Sequence, residues 1–181
     1  GKVIHIPTFI WAVVIGYNLP GVTGLRLTPA LLEGIFLADI TKWNDKRITD
    51  ENPGLTLPDM NITVVYRSDG SGTTYIFSDY MSKVSPKWNG QLGTGKALNW
   101  PAGIGGKGNP GVAGTISQSQ GTIGYLGFEY AYAQKIPMAL IQNSAGNYVE
   151  PNLDSFSAAA SVEMPDDTRN MIKSSPNPNR C

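Results

Sequence analysis

The sequence holds one cysteine and one histidine. A disulfide needs two cysteines, and a zinc centre built on Cys and His takes three or four such ligands, so neither forms within this chain. A Ser-His-Asp triad has only His5 to draw on, close to the first residue. Charge is also scarce. Asp, Glu, Lys and Arg make up 15% of the residues, and 14 basic side chains balance 14 acidic ones. A neutral chain does not suit the coating of nucleic acid, which needs a basic surface, and it is not a polyacidic module. No apolar run approaches the ~18 residues of a transmembrane segment. The longest, Phe9 to Gly16, has the length of a strand. Low cysteine content is compatible with a bacterial periplasmic or extracellular location. The chain opens Gly1-Lys2-Val3 rather than with a basic, apolar leader. An exported form is therefore expected to have shed its leader or to start elsewhere. No metal site and no cofactor are expected.

Turn-forming residues are in excess, with 21 glycines and 13 prolines among 181 residues. Apolar residues still reach 41%, enough for a packed core. Phe9 to Asn18 is a β-rich apolar run of the kind buried on both faces of a sheet, and Pro20-Gly21 ends it. Thr28-Pro29 supplies a helix cap followed by proline at the first helical position. Leu31, Leu32, Ile35 and Phe36 follow at helical spacing, which predicts a helix over 29–38. Ile40, Trp43 and Ile48 suggest a second short helical or turn segment. Ile62 to Tyr66 reads as a second buried strand. A helix carrying Tyr75, Ile76, Tyr80 and Met81 should follow it and end near Pro86. Residues 85–110 read mostly as loop. Asn109-Pro110 starts a helix to about Ser119, Thr122 to Leu126 is a third strand, and Glu129 to Gln134 a short helix. Met138 to Gln142 is a fourth strand, and Leu153 to Val162 is expected to be helical. Strands alternating with helices predict an α/β sandwich with a central mixed sheet flanked by helices. The expected core contains Val13, Val14, Ile15, Leu32, Ile35, Phe36, Val64, Val65, Ile76, Phe77 and Ile123.

The segment that carries chemistry is Arg67-Ser-Asp-Gly-Ser-Gly-Thr-Thr74. A strand ends in Arg67, a Gly-Ser-Gly turn follows, and a helix begins. Gly70 and Gly72 let the backbone approach a ligand closely. The first helical N–H groups have no intrahelical acceptor and sit at the positive end of the helix dipole, an arrangement that binds anions. Ser71 and Thr73 add hydroxyl donors, and Arg67 can present two parallel N–H groups. Asp69 is too close to be a second anion ligand and is expected to hold Arg67 in place. A capped helix beside a surface arginine is the plain alternative. Gly103-Ile-Gly-Gly-Lys-Gly108 matches G-x-G-x-x-G by letters, but Trp100-Pro101 precedes it rather than a strand. It is not a P-loop either, since Gly108 follows Lys107, and a flexible flap or hinge-side loop is the better reading. Asn61-Ile-Thr63 is a glycosylation sequon by chance beside a buried strand. Trp11, Trp43, Trp88 and Trp100 are spread along the chain and read as core and loop anchors rather than a stacking platform.

Arg67-Ser-Asp-Gly-Ser-Gly-Thr resembles the phosphate-contacting segment of the periplasmic phosphate-binding proteins of ABC transporters. Further landmarks occur in family order: Ile6-Pro-Thr-Phe, Tyr17-Asn-Leu-Pro-Gly21, Ile40-Thr-Lys-Trp-Asn44, Asn52-Pro-Gly-Leu55, Trp100-Pro-Ala-Gly-Ile-Gly-Gly-Lys-Gly-Asn109, Gly121-Thr-Ile-Gly-Tyr125 and Tyr130-Ala-Tyr132. The resemblance covers about residues 3–165. It implies one lobe of a type 2 periplasmic-binding-protein fold. Residues 1–165 would form the lobe, with a hinge segment at the N-terminus, and 166–181 a linker or hinge-return tail. It further implies that Arg67, Ser71, Gly72 and Thr73 contact phosphate, with Asp69 pairing the arginine and Gly70 in support. The implied partners are inorganic phosphate, an ABC permease and a complementary lobe from the same or another chain, in a periplasmic or extracellular location.

The family's remaining ligands come from the other lobe, and no position here matches them. A hydrogen bond to a charged group contributes roughly 1.5–3 kcal/mol. Three or four of them must offset at least ~4 kcal/mol of lost ligand freedom, so the half-site alone is expected to bind on the order of millimolar. Two other functions stand beside the receptor. A hydrolytic or phosphoryl-transfer enzyme using Ser71 as nucleophile would lack a second histidine, a metal cluster and a nearby base. A non-transporting interaction or scaffold module could retain the fold without its cargo. The resemblance places the hinge and the other lobe around Phe9, Ile10 and Trp11, so the cleft-facing apolar surface there is expected to be abnormally exposed or covered by a neighbour.

Overall fold

The computed structural model describes residues 12–155. Phe9, Ile10, Trp11, the tail and most of the expected helix from Leu153 lie outside the described residues. Four strands build the main sheet: β1 (Val13–Tyr17), β3 (Thr63–Arg67), β4 (Ile104–Gly106) and β5 (Thr122–Gly127), in the order β1-β5-β3-β4. β5 runs antiparallel to β1 and parallel to β3, and β4 is parallel to β3. The expected mixed sheet is therefore present. All six residues of β5 are buried, as a strand between two neighbours and two helix layers requires.

Side chains alternate between the two layers. Ile15, Val64, Ile123 and Tyr125 face a core shared with helices α1 (Pro29–Phe36) and α3 (Gly72–Val84). Val14, Val65 and Leu126 face a second core shared with α5 (Gly108–Gln118) and α6 (Phe128–Ala133). The connection from β3 to β4 crosses the sheet one way, and that from β4 to β5 returns past β3. Right-handed crossovers in opposite directions must lie on opposite faces, which is where α3 and α5 pack. The carboxyl ends of β3, β4 and β5 consequently share one edge of the sheet, the place where open α/β folds form their ligand crevices.

Caps account for the helix boundaries. Thr28 Oγ1 accepts from Leu31 N–H at 3.2 Å, with Pro29 at the first position. The helix expected over 29–38 stops at Phe36. Ala38 takes φ +63°, Ala38 N–H donates to Ile35 O, and Asp39 N–H donates to Gly34 O. This is a Schellman closure with alanine in the usual glycine place. Gly34 makes room for it, because a Cβ there would lie 2.7 Å from Ile40 Cδ1. The segment around Ile48 forms α2 (Lys46–Glu51).

Several expectations need correction. Residues 85–110 are mostly loop, as expected, but they also hold a short helix and a short strand that were not foreseen. Ser85 Oγ accepts from Trp88 N–H and starts α4 (Pro86–Gln91). The Gly103–Gly108 stretch is not a flap but contains β4 on the sheet edge. Its glycines answer to packing. Gly103 takes φ +121°, where a Cβ would lie 2.4 Å from Val64 O, and a Cβ on Gly106 would meet Val112 N at 2.7 Å. A second sheet, unforeseen, joins β2 (Arg26–Leu27), β6 (Leu140–Gln142) and β7 (Tyr148–Val149), with β2 and β6 parallel. The strand expected from Met138 thus begins at Leu140. Val13 and Ile76 are half-buried, whereas the other expected core residues are buried. Trp43 and Trp88 are core anchors, as expected. Trp88 and Trp100 meet at 5.8 Å in an aromatic cluster with Phe36, Phe77 and Tyr125.

Candidate functional site

At the shared carboxyl edge lies an open cleft of about 520 Å³, lined by Arg67, Gly70 to Thr73, Ile76, Gly108, Asn109, Pro110 and Tyr130. The structure thus brings the four expected ligand residues together, and Asp69 sits beside them. It also adds the start of α5 and Tyr130 of α6, which the sequence reading left out.

β3 delivers Arg67 to the edge, and the loop that follows turns its side chain onto Asp69. Arg67 Nε donates to Asp69 Oδ1 at 2.8 Å and Nη2 to Oδ2 at 2.7 Å. The same Oδ1 accepts from Gly108 N–H at 3.0 Å. The arginine's bonds, then the Gly108 amide, hold the Asp69 carboxyl well below the usual carboxylate range, and Asp69 in turn raises the guanidinium. The Arg67 side chain is 11% exposed, so its charge is largely removed from water, and the carboxylate supplies the compensation such burial requires. Nη1 has no acceptor among the described residues.

Ser71 caps α3: its Oγ accepts from Thr74 N–H at 3.2 Å. Ser71 N–H donates to Lys96 O. The next two amides, Gly72 and Thr73, have no acceptor among the described residues, as the first turn of a helix leaves them. The hydroxyl of Tyr125 fixes the junction from below. It accepts from Arg67 N–H at 3.0 Å and lies 2.7 Å from Thr74 Oγ1. Burial pushes this hydroxyl's pKa up, against the lowering effect of the Thr74 and Arg67 contacts. Asn109, at the start of α5, accepts from Gly127 N–H through Oδ1 at 3.2 Å and places Nδ2 3.5 Å from Thr73 Oγ1. The cleft therefore presents outward-facing donors with little competing acceptor surface. The Asp69 carboxylate beside it is engaged with Arg67 and Gly108. Such a cradle can hold an oxyanion by hydrogen bonds and dipoles while adding almost no net charge.

The sequence matches the model of the PBP superfamily domain over residues 1–177. The chain belongs to the PBP superfamily. Similar proteins include the phosphate-binding protein PstS of Xylella fastidiosa, 50% identical over 159 residues, covering 87% of this chain and 44% of that protein. The phosphate-binding protein PstS of Haemophilus influenzae is 47% identical over 164 residues, covering 88% and 48%. The chain thus spans less than half the length of these relatives. Among solved structures, a high affinity periplasmic phosphate-binding protein bound with phosphate, PfluDING, aligns with TM-score 0.65 at 22% identity, over 85% of this chain and 44% of that one. An ABC-type phosphate transport receptor from Vibrio cholerae aligns with TM-score 0.57 at 20% identity, over 82% and 50%. These likenesses show the fold, a lobe-sized portion of a type 2 periplasmic binding protein. In this superfamily member no described helix is long and apolar enough to cross a membrane.

Proposed function

We propose that this chain is the phosphate-cradling lobe of a solute receptor that serves a phosphate ABC permease. One observation carries the proposal. Arg67, clamped by Asp69 on one edge, keeps Nη1 available beside the unsatisfied Gly72 and Thr73 amides at a helix start. Relatives named as phosphate-binding proteins at up to 50% identity support phosphate as the oxyanion. In this reading Arg67, Ser71, Gly72 and Thr73 are the ligands, Asp69 and Gly70 support them, and no covalent step occurs. A complementary lobe, from this protein or another, closes over the cleft in a periplasmic or extracellular setting and supplies the remaining contacts. One other reading stands beside this one, an interaction module that retains the fold without transport. Titration with inorganic phosphate decides. The receptor reading expects saturable shifts of the Gly72 and Thr73 amide resonances in the millimolar range, abolished by Arg67→Ala. Shifts absent from wild type, or unchanged in Arg67→Ala, would sink it.

A further inference from the structure

Thr73 is almost wholly buried beside the cleft, with one hydroxyl proton to give and two lone pairs to offer. Which way that proton points depends on what meets the oxygen. Asn109, 5% exposed, meets it from the start of another helix. The orientation of the Asn109 amide is fixed by Gly127, whose backbone N–H can only donate, so the amide oxygen faces Gly127 at 3.2 Å. The NH₂ end is thereby turned to Thr73 Oγ1, 3.5 Å away. An amide NH₂ can only donate, so the Thr73 oxygen is met as an acceptor and its proton must go elsewhere. Among the described residues no acceptor takes it, and Thr73 lines the cleft.

We propose that Asn109 is a positioning residue for anion binding, orienting the Thr73 hydroxyl as a donor into the cleft. The proposal rests on the phosphate reading above. Ser71 achieves the same polarity within its own helix, because Thr74 N–H occupies its oxygen. At Thr73 the orientation comes from a residue 36 positions away, at the carboxyl end of β4. Asn109 therefore ties the binding geometry of α3 to the ends of β4 and β5. Phosphate would strengthen the arrangement, since hydrogen bonds in an empty site are often long and tighten around the ligand.

The test is a mutant cycle read by titrating inorganic phosphate against the Gly72 amide resonance. Thr73→Val should weaken binding about tenfold, the loss of one hydrogen bond to a charged group. Asn109→Ala should weaken it about threefold to tenfold in wild type and by less than about twofold in the Thr73→Val background. An equal loss in both backgrounds would make Asn109 a merely structural residue and overturn the proposal, as would no loss in wild type. Asn109→Asp covers the possibility that alanine unfolds the site. A carboxylate still accepts from Gly127 but now also accepts the Thr73 proton, so adding Thr73→Val to it should cost nothing further. A full tenfold additional loss there would also overturn the proposal. Absence of any phosphate response in wild type removes the receptor reading itself, whereas a response with an additive cycle removes this inference alone.

Discussion

Asp69 grips Arg67 along its Nε–Nη2 edge, at 2.8 and 2.7 Å, and leaves Nη1 outside the pair. The pair is formally neutral, so an anion in the proposed site would be held by oriented donors rather than by an unpaired positive charge. An anion can still take two parallel bonds, one from Nη1 and one from the second Nη2 proton.

Lysine cannot reproduce this division. Its single ammonium can serve Asp69 or the anion well, but not both with parallel donors. Arg67→Ala should abolish most binding and weaken it more than Thr73→Ala does. Arg67→Lys should restore only part of the loss. Calorimetric phosphate titrations of the three variants check this order. Full affinity with lysine at position 67 would show that charge alone suffices.

The depressed Asp69 carboxyl sets a pH window. A carboxyl whose folded value is below its unfolded one, near 3.9, contributes stability that is fully present above the unfolded value. That contribution is lost as pH falls through the folded value. Thermal unfolding of wild type and Asp69→Asn should therefore differ by a constant amount between pH 6 and 8. The difference should shrink only on strong acidification, below about pH 4. A gap that instead closed between pH 6 and 7 would exclude the Arg67 pairing as its source.

Much of this fold could be read from local sequence. β3 and β5 are central strands, β1 flanks β5 with side chains in both cores, and two-sided burial makes all three apolar runs. α1, α3 and α5 announce themselves through Thr28-Pro29, Ser71 and Asn109-Pro110. The candidate loop was equally legible, because Arg67 to Thr73 is one strand–turn–helix unit whose chemistry is local. What escaped has non-local causes. β4 reads Ile-Gly-Gly, a poor strand by propensity. It is a strand because β3 pairs with it and α5 needs glycine beneath it. β2 and β7 are two residues each, too short to show a period. Asn109 was recognised as a helix start, but its reach to Thr73 depends on how β3 and β4 pair. Tyr125 reads in the sequence only as part of the strand Thr122 to Leu126 and of the landmark Gly121-Thr-Ile-Gly-Tyr125, and nothing there marks its hydroxyl as the anchor of the Arg67 turn.

That anchor can be measured. Tyr125 is fully buried, and its hydroxyl takes the Arg67 N–H while contacting Thr74. Tyr125→Phe keeps the ring stacked on Phe77, so packing changes little. It leaves the partly buried Arg67 N–H and the buried Thr74 hydroxyl without this partner, a loss of about 1–3 kcal/mol. Urea unfolding should show that drop in midpoint with an unchanged m-value. If the phosphate reading holds, binding should weaken as well, since Arg67 and the α3 start lose their common tether. An unchanged midpoint would mean that water replaces the hydroxyl at no cost.

Gly106 offers the sharpest test of why β4 is glycine-rich. A Cβ at this position would stand 2.7 Å from Val112 N and 2.8 Å from Gly111 C, both backbone atoms of α5. Backbone cannot step aside as a flexible side chain can, so Gly106→Ala must push α5 off the sheet. α5 carries Val112, Ala113 and Ile116 into the second core, and its first turn supplies Gly108 to Asp69 and Asn109 to Thr73. Overpacking of this kind costs about 1–3 kcal/mol, with the displaced helix start as a second effect. Gly114, where a Cβ would meet nothing within 4 Å, is the control on the same helix. Gly114→Ala should leave stability unchanged or raise it by about 0.5–1 kcal/mol through helix propensity. Denaturant unfolding of the two variants side by side gives the answer. Equal stabilities would show that α5 sits loosely on β4, and that the glycines of this strand have another cause.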